Sequence, residues 1–283
     1  MEGLNFIFFG VRGSYPVSEK RFIKYGGNTT SLLIESDEGT FIIDAGSGII
    51  NAGEYLSKKS NIKKLDIFLT HLHIDHIIGL PFFNLFYNNE CEITIHCFQS
   101  DDFSLKDTIY SLFTSPLSPI SPKGIPAKIK FRNINENRGK VYHFGSDLTL
   151  DCIKEDTHPK SGVLIYRVNY YGKKLIFATD VETPGGLDEK YINFMKDADV
   201  LIHDAQYTSS DYYDKNNPKI GYGHSTLDMA VNNAKMCNAK KLYLFHHNPR
   251  YSDNKLELNL IKAKKSFSNT YLAREMKKNK LRR

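Results

Sequence analysis

Cysteine is scarce and unpatterned in this chain. The 283 residues hold four, Cys91, Cys97, Cys152 and Cys237, and no CxxC pair. Those spacings exclude a disulfide framework and a cysteine-based zinc site, and the apolar stretches around them mark reduced core residues. Long apolar runs are also missing. None approaches the ~20 residues needed to span a bilayer. Residues 1–10 lack the basic start and small-residue cleavage site of a secretory leader. The expected location is the cytoplasm, with no membrane partner. Repeats and low-complexity segments are absent. A general basic surface is absent too. Net charge is +6, yet residues 262–283 carry nine Lys or Arg against Glu275, leaving the remainder near −2. The basic end is expected to be a solvated last helix with a tail over 277–283. Contact with nucleic acid, or steering of an anionic substrate, is the functional alternative.

What is present suits one large α/β domain over residues 1–283. Hydrophobic residues make up 41% and charged residues 25%, enough to bury a sizeable core. Short apolar strands are predicted at 5–9, 31–34, 40–43, 64–70, 93–98, 127–131, 148–153, 162–168, 174–178, 200–203 and 242–245. Leu227, Ala230, Val231, Ala234 and Cys237 share one helical face, capped by Ser225 or Thr226. A second helix is expected from about Ser252 to Lys265. Pro116, Pro119, Pro122 and Pro126 make 114–125 a loop, either a lid or a rigid connection.

The densest chemistry is Thr70-His71-Leu72-His73-Ile74-Asp75-His76, directly after a predicted strand. Imidazole nitrogen and carboxylate oxygen both suit zinc. Packing does not explain four such side chains in six residues, because their desolvation would be prohibitive without a cation or partners. A tight loop cannot aim all four at one ion. Two ions sharing the loop are therefore expected, with further ligands from elsewhere. His158, Asp180 and His246 are candidates, each at or just past the end of a predicted strand, where loops build sites. Taken singly, each also reads as a cap, a turn residue or an exposed His.

His71-x-His73-x-Asp75-His76, followed in order by His158, Asp180 and His246, resembles the metallo-β-lactamase superfamily of metal hydrolases. The resemblance is to its phosphodiesterase branch, which includes the tRNA 3′-processing enzyme RNase Z. It covers nearly the whole chain. Supporting stretches include Gly10-Val11-Arg12-Gly13-Ser14, Tyr25-Gly26-Gly27-Asn28-Thr29-Thr30, Ile42-Ile43-Asp44-Ala45-Gly46 and Gly223-His224-Ser225-Thr226. The resemblance implies an α/β fold, the metallo-β-lactamase αββα sandwich of two mixed β-sheets flanked by helices. It implies two Zn²⁺ ions, with Mn²⁺ or Fe²⁺ as alternatives in the same N/O sites. His71, His73 and His158 would hold one, Asp75, His76 and His246 the other, and Asp180 would bridge. His246 rather than His247 is the implied ligand, and Asp44 the carboxylate supporting the His-rich loop. Asp75, His224 and Asp204 are the residues implied to carry the chemistry. Water activated between the ions attacks phosphorus, His224 protonates the leaving oxygen, and Asp204 orients His224. Arg12, Ser14, Asn28 and Thr29 are expected to contact substrate. A homodimer is expected, as in relatives.

Many RNase Z-like enzymes carry a long tRNA-clamping arm between the third His and the bridging Asp. Here His158 and Asp180 are 22 positions apart, room only for a hairpin. The opening motifs are similar to a bacterial group assigned as cyclic-nucleotide phosphodiesterase-like. The leading expectation is hydrolysis of a small anionic phosphodiester, a 3′,5′-cyclic nucleotide. The alternatives are an RNA-processing nuclease and a non-catalytic metal-bound ligand sensor. The complete ligand set with His224 speaks against the sensor.

Overall fold

The computed structural model describes residues 3–59, 62–99, 104–134, 140–156, 158–159 and 162–283. Six strands open the chain: β1 Leu4–Gly10, β2 Ser31–Glu35, β3 Thr40–Ile43, β4 Lys64–Phe68, β5 Glu92–Cys97 and β6 Lys128–Asn133. They join a sheet ordered β14-β1-β2-β3-β4-β5-β6, whose first member, β14, is Lys278–Leu281. The other sheet runs β13-β12-β11-β10-β9-β8-β7. Its strands are β7 Tyr142–His143, β8 Leu148–Glu155, β9 Val163–Tyr170, β10 Lys173–Ala178, β11 Val200–Asp204, β12 Leu242–Phe245 and β13 Thr270–Leu272. Both sheets are mixed: antiparallel through β1–β3 and β8–β10, parallel through β3–β6 and β10–β13.

The two sheets face each other through aromatic contacts. Phe8 stacks on Phe245 at 5.6 Å, Phe6 meets Tyr243 edge-on at 5.5 Å, and Phe68 meets Tyr166 at 6.0 Å. Ring pairs at such separations add to the area they bury. Among the described residues the α-helices are α1 Ile49–Ser57, α2 Ile74–Ile77, α3 Leu105–Ser111, α4 Glu189–Met195, α5 Ser209–Tyr212, α6 Leu227–Met236 and α7 Asp253–Ser266. Leu227, Ala230, Val231 and Ala234 of α6 pack with Tyr191 of α4 and Leu256 of α7 on the outer face of the second sheet. Ala52 and Leu56 of α1 and Ile109 of α3 do so on the first. Strands covered on both faces read as unbroken apolar runs, and all seven residues of β1 are buried.

The predicted α6 and α7 form where periodicity and caps placed them. The Thr226 side chain accepts from the Met229 amide and Ser252 from the Lys255 amide. The basic end differs from expectation. Residues 278–281 are no loose tail but an edge strand paired antiparallel to β1, with Asn279 and Leu281 buried and the lysines outward. The stretch 114–125 is a surface connection with a 3-10 turn at Pro122–Gly124, and its side-chain hydrogen bonds stay within residues 110–120. Between His158 and Asp180 the chain forms the β9–β10 hairpin, closed by Tyr171 and Gly172, both at positive φ. That is the two-residue turn whose twist matches the strands it joins. No helix among the described residues is long and apolar enough to cross a membrane.

Candidate dinuclear metal centre

β3, β4, β10, β11 and β12 end at one edge of the sandwich, and each delivers a polar residue there. β3 leads into Asp44, β4 into Thr70 and His71, and β10 into Asp180. β11 ends on Asp204, and β12 leads into His246. Asp44, Asp180 and His246 all have left-handed backbones, with φ of 63°, 56° and 57°. Such conformations are uncommon outside glycine and gather at functional sites. Each turns its chain off the strand so that the side chain faces inward.

Among the described residues the donors form four overlapping groups, the ligand atoms in each lying within 4.8 Å of one another. Asp180 joins His71 and His76 in one, and Asp204, His224 and His246 in another; the two without Asp180 are His71, His73 and His158, and Asp75, His76 and His246. Asp180 stands between them. Its Oδ1 lies 3.8 Å from His71 Nε2 and 3.9 Å from His158 Nε2. Its Oδ2 lies 3.3 Å from both His76 Nε2 and His246 Nε2. Tetrahedral zinc with bonds near 2.05 Å spaces its ligands about 3.3 Å apart. One Asp180 oxygen thus faces each set of histidines.

The outer ring nitrogens are already engaged. His76 Nδ1 bonds Asp44 Oδ2 at 2.8 Å, His246 Nδ1 bonds Gln206 Oε1 at 2.7 Å, and His158 Nδ1 bonds the Gly223 carbonyl at 3.2 Å. His71 Nδ1 lies 3.1 Å from Thr70 Oγ1. This fixes each tautomer and leaves Nε2 to point inward, the usual support for a metal-bound imidazole. His73 is reversed: its Nδ1 sits 3.1 Å from His158 Nε2. The buried Nε2 atoms of His71, His76 and His246 have no hydrogen-bond partner. Orphaned buried ring nitrogens converging on two carboxylates fit divalent cations, because without one they bear an uncompensated desolvation penalty.

Electrostatics divides the cluster. Burial pushes His71, His73 and His158 down, His158 to about 4, so this group is neutral and ready to ligate. Burial also opposes the charged form of His76, but Asp180, Asp44 and Asp75 outweigh it and raise its pKa well above the ordinary value. Burial likewise opposes ionised Asp75, and His76 and His246 overcome it, holding the carboxyl low.

His224 lies beside this centre, before α6. Its Nδ1 meets Asp204 Oδ2 at 2.8 Å, and its ring stacks 4.9 Å from that of His246. Asp204 is fixed in turn by the amides of Asp180 and Gln206. Burial works against the imidazolium, yet Asp204, with Asp180 and Asp75, raises its pKa to about 9.

The expected substrate donors are placed differently. Arg12 is fully buried, and its guanidinium bonds the carbonyls of Gly26, Asn248 and Tyr251. It ties three loops together and presents nothing to a substrate, which corrects the expectation for it. Thr29 is buried and exchanges hydrogen bonds with Ser47, and Asn28 is held between Glu275 and Ser47. The Asn28 donors are spent on Glu275, and the Thr29 amide on Ser47. Ser14 reaches the centre through its backbone, whose amide bonds Asp75 Oδ2 at 2.7 Å. His247 is a structural pin: its Nε2 meets the Ala273 carbonyl, and burial lowers its pKa to about 3. Sequence reasoning missed Gln206, the partner of His246. Its place two residues beyond Asp204 was the available signal.

The Beta-lactamase superfamily domain model matches residues 40–247. A Ribonuclease Z from Prochlorococcus marinus (strain MIT 9515) is 26% identical, over 96% of this chain and 98% of that protein. Among solved structures, the metallo-β-lactamase fold protein YhfI from Bacillus subtilis superimposes with a TM-score of 0.70 at 16% identity, covering 98% of this chain and 99% of its own. A diphosphatase from the PhnP family also reaches 0.70, at 17% identity and 98% coverage of each chain. The family match spans more than half of the residues, and the chain belongs to the beta-lactamase superfamily, as a metal-dependent hydrolase of the metallo-β-lactamase fold.

Proposed function

We propose that this protein hydrolyses a small phosphodiester, a 3′,5′-cyclic nucleotide, at a two-metal centre. His71, His73 and His158 would hold one ion and Asp75, His76 and His246 the other, with Asp180 shared. Zinc suits this donor set, and manganese or iron suits it next. When bound, such a pair supplies a nucleophilic water at neutral pH and neutralises charge on the phosphoryl oxygens. The chain's own contribution is positional and protic. Asp204 holds the His224 imidazole by Nδ1, which leaves Nε2 to protonate the departing alkoxide. Asp204 is the charge that keeps the donor protonated, because cations bound at Asp75 and Asp180 would offset those residues' pull on His224.

The observation that carries the small-substrate reading is the β9–β10 hairpin, with its two-residue turn between His158 and Asp180. It leaves no segment there to grip a tRNA. The Prochlorococcus alignment runs over 329 positions against 283 residues here, so that relative carries stretches with no counterpart in this chain. The name of that relative favours a second reading, an RNA-processing nuclease. The homodimer belongs to the same proposal, and light scattering on the purified protein tests it. A panel of cyclic mononucleotides, bis(p-nitrophenyl) phosphate and a short pre-tRNA, each with wild type and Asp75→Ala, decides the substrate. Cyclic-nucleotide turnover lost in the variant is the expected result. Turnover confined to RNA would move the protein to the nuclease branch.

A further inference from the structure

Two residues beyond Asp180 lies Glu182, a nearly buried carboxylate that no metal group includes. Both of its oxygens accept hydrogen bonds. Oε1 accepts from the Gly221 amide and Oε2 from the Gly223 amide, each at 2.7 Å, and the Tyr212 hydroxyl also donates to Oε1. Gly221 and Gly223 have φ of 81° and 84°, a backbone that L side chains rarely adopt. Amides aimed to one side in this way form an anion-binding nest. Here the anion is built in. Gly223 is also confined: a Cβ there would fall 2.2 Å from His158 Nδ1.

The next residue after this nest is His224. On its far side, the Ser225 hydroxyl donates to the Val181 carbonyl at 2.5 Å. Residues 181 and 182 therefore grip the chain at 221, 223 and 225, on both sides of His224. The carbonyl of Gly223 meets His158 Nδ1, so the same residue abuts a candidate ligand. Resting on the proton-donor role given to His224 above, we propose that Glu182 is the positioning residue that sets His224 against the leaving group. It couples the loop of the bridging carboxylate to the loop of the proton donor. The carboxylate touches neither substrate nor metal; it acts through the Gly221 and Gly223 amides.

Leaving-group dependence tests this role. A nitrophenolate departs as a stable anion and needs little help from an acid, whereas the alkoxide of a cyclic nucleotide needs its proton. Glu182→Ala is expected to lower kcat for a 3′,5′-cyclic mononucleotide by about 10²-fold, the low end of what a positioned general acid contributes. It is expected to lower kcat for bis(p-nitrophenyl) phosphate far less, so that the ratio of the two falls at least ~10-fold, with KM little changed. Glu182→Gln keeps one acceptor for two amides and should lie between, and it carries the ratio test should the alanine variant not fold. Equal losses on both substrates, or an unchanged ratio, overturn the proposal. Hydrogen–deuterium exchange of metal-free protein decides the clamp without any turnover. Faster exchange across residues 219–225 in Glu182→Ala is expected, and unchanged exchange overturns it. A wild type that opens no cyclic nucleotide defeats the substrate reading instead, while the exchange result still judges the clamp.

Discussion

Adding one methyl group at Gly13 should empty one metal site and spare the other. The loop after β1 passes so close to the centre that a Cβ on Gly13 would lie 2.3 Å from both Cε1 and Nδ1 of His246, and 2.4 Å from Gln206 Oε1. Ordinary contact begins at 3.4 Å, so the ring must retreat by about 1 Å. It has nowhere to tilt, because Gln206 fixes Nδ1 and the side chain is fully buried. A zinc–nitrogen bond tolerates about 0.2 Å, so His246 is lost as a ligand. Gly13→Ala should weaken the Asp75–His76–His246 site by at least ~10²-fold, about 2.7 kcal/mol. The His71–His73–His158 group is untouched, and the Gly13 backbone lies outside the left-handed region, so the fold should hold. Metal analysis after dialysis against buffered zinc should read two equivalents for wild type and one for the variant, at near-equal circular dichroism. Gly223→Ala strikes His158 instead and adds backbone strain at a φ of 84°, so it should deplete the opposite site at a cost to stability that Gly13→Ala does not carry. A Gly13→Ala protein that keeps both ions at unchanged affinity would refute the geometry on which the two-site assignment stands.

Three further outcomes are expected. Asp204→Asn removes the charge that holds His224 near 9 and returns its pKa towards the ordinary value. Deprotonated His224 cannot donate, so the loss on cyclic-nucleotide turnover should be largest at alkaline pH and shrink below pH 6; a pH-independent loss would contradict it. Desolvation raises the pKa of half-buried Glu275 from 4.5 to about 7, against the opposing pull of its hydrogen bonds from Asn28. The native state therefore holds the extra proton between those values, and stability falls as pH rises through that window, by up to about 3 kcal/mol. Glu275→Gln should gain on wild type in thermal melts at pH 8 relative to pH 5, and a pH-invariant Tm difference would count against this. Arg12→Lys loses the fork that reaches three carbonyls and should cost about 2–4 kcal/mol in urea unfolding; a cost below 1 kcal/mol would show that the bracket is dispensable.

The legible parts of this fold are those written in local pattern. β3 and β12 appear at their predicted limits, 40–43 and 242–245, because each is a short apolar run closed by turn or site residues. The helix after Thr226 was legible through its cap and its three- and four-residue spacing. β14 was not, although Lys278, Asn279, Lys280 and Leu281 alternate outward and inward. Four residues are too few for period two to stand out inside a basic run, and the pairing with β1 that makes it a strand lies more than 270 residues away. The candidate donors were legible as a cluster because histidine and aspartate gathered at one strand end have few other uses. Arg12 was misread because its motif places it beside the site, while only packing decides which way a guanidinium turns.

The least legible residues are those that hold the donors in place. Gln206 and Glu182 stand in unremarkable sequence, a neutral amide and a lone acid. Their significance arises only when β11 and β12 end at the same edge as β10. The left-handed residues Asp44, Asp180 and His246 extend the argument. Each adopts a conformation that costs roughly 1 kcal/mol or more for a residue other than glycine. Each is kept there by a hydrogen bond that its neighbours provide: Thr70 to Asp44, the Asp180 amide to Asp204, and His246 to Gln206. The strain and the supporting bonds are one device. A residue free to relax to an ordinary backbone would turn back along its strand and leave the cluster, so the stability given up at these three positions is what brings Asp180 and His246, with Asp44 behind His76, to one edge of the sandwich.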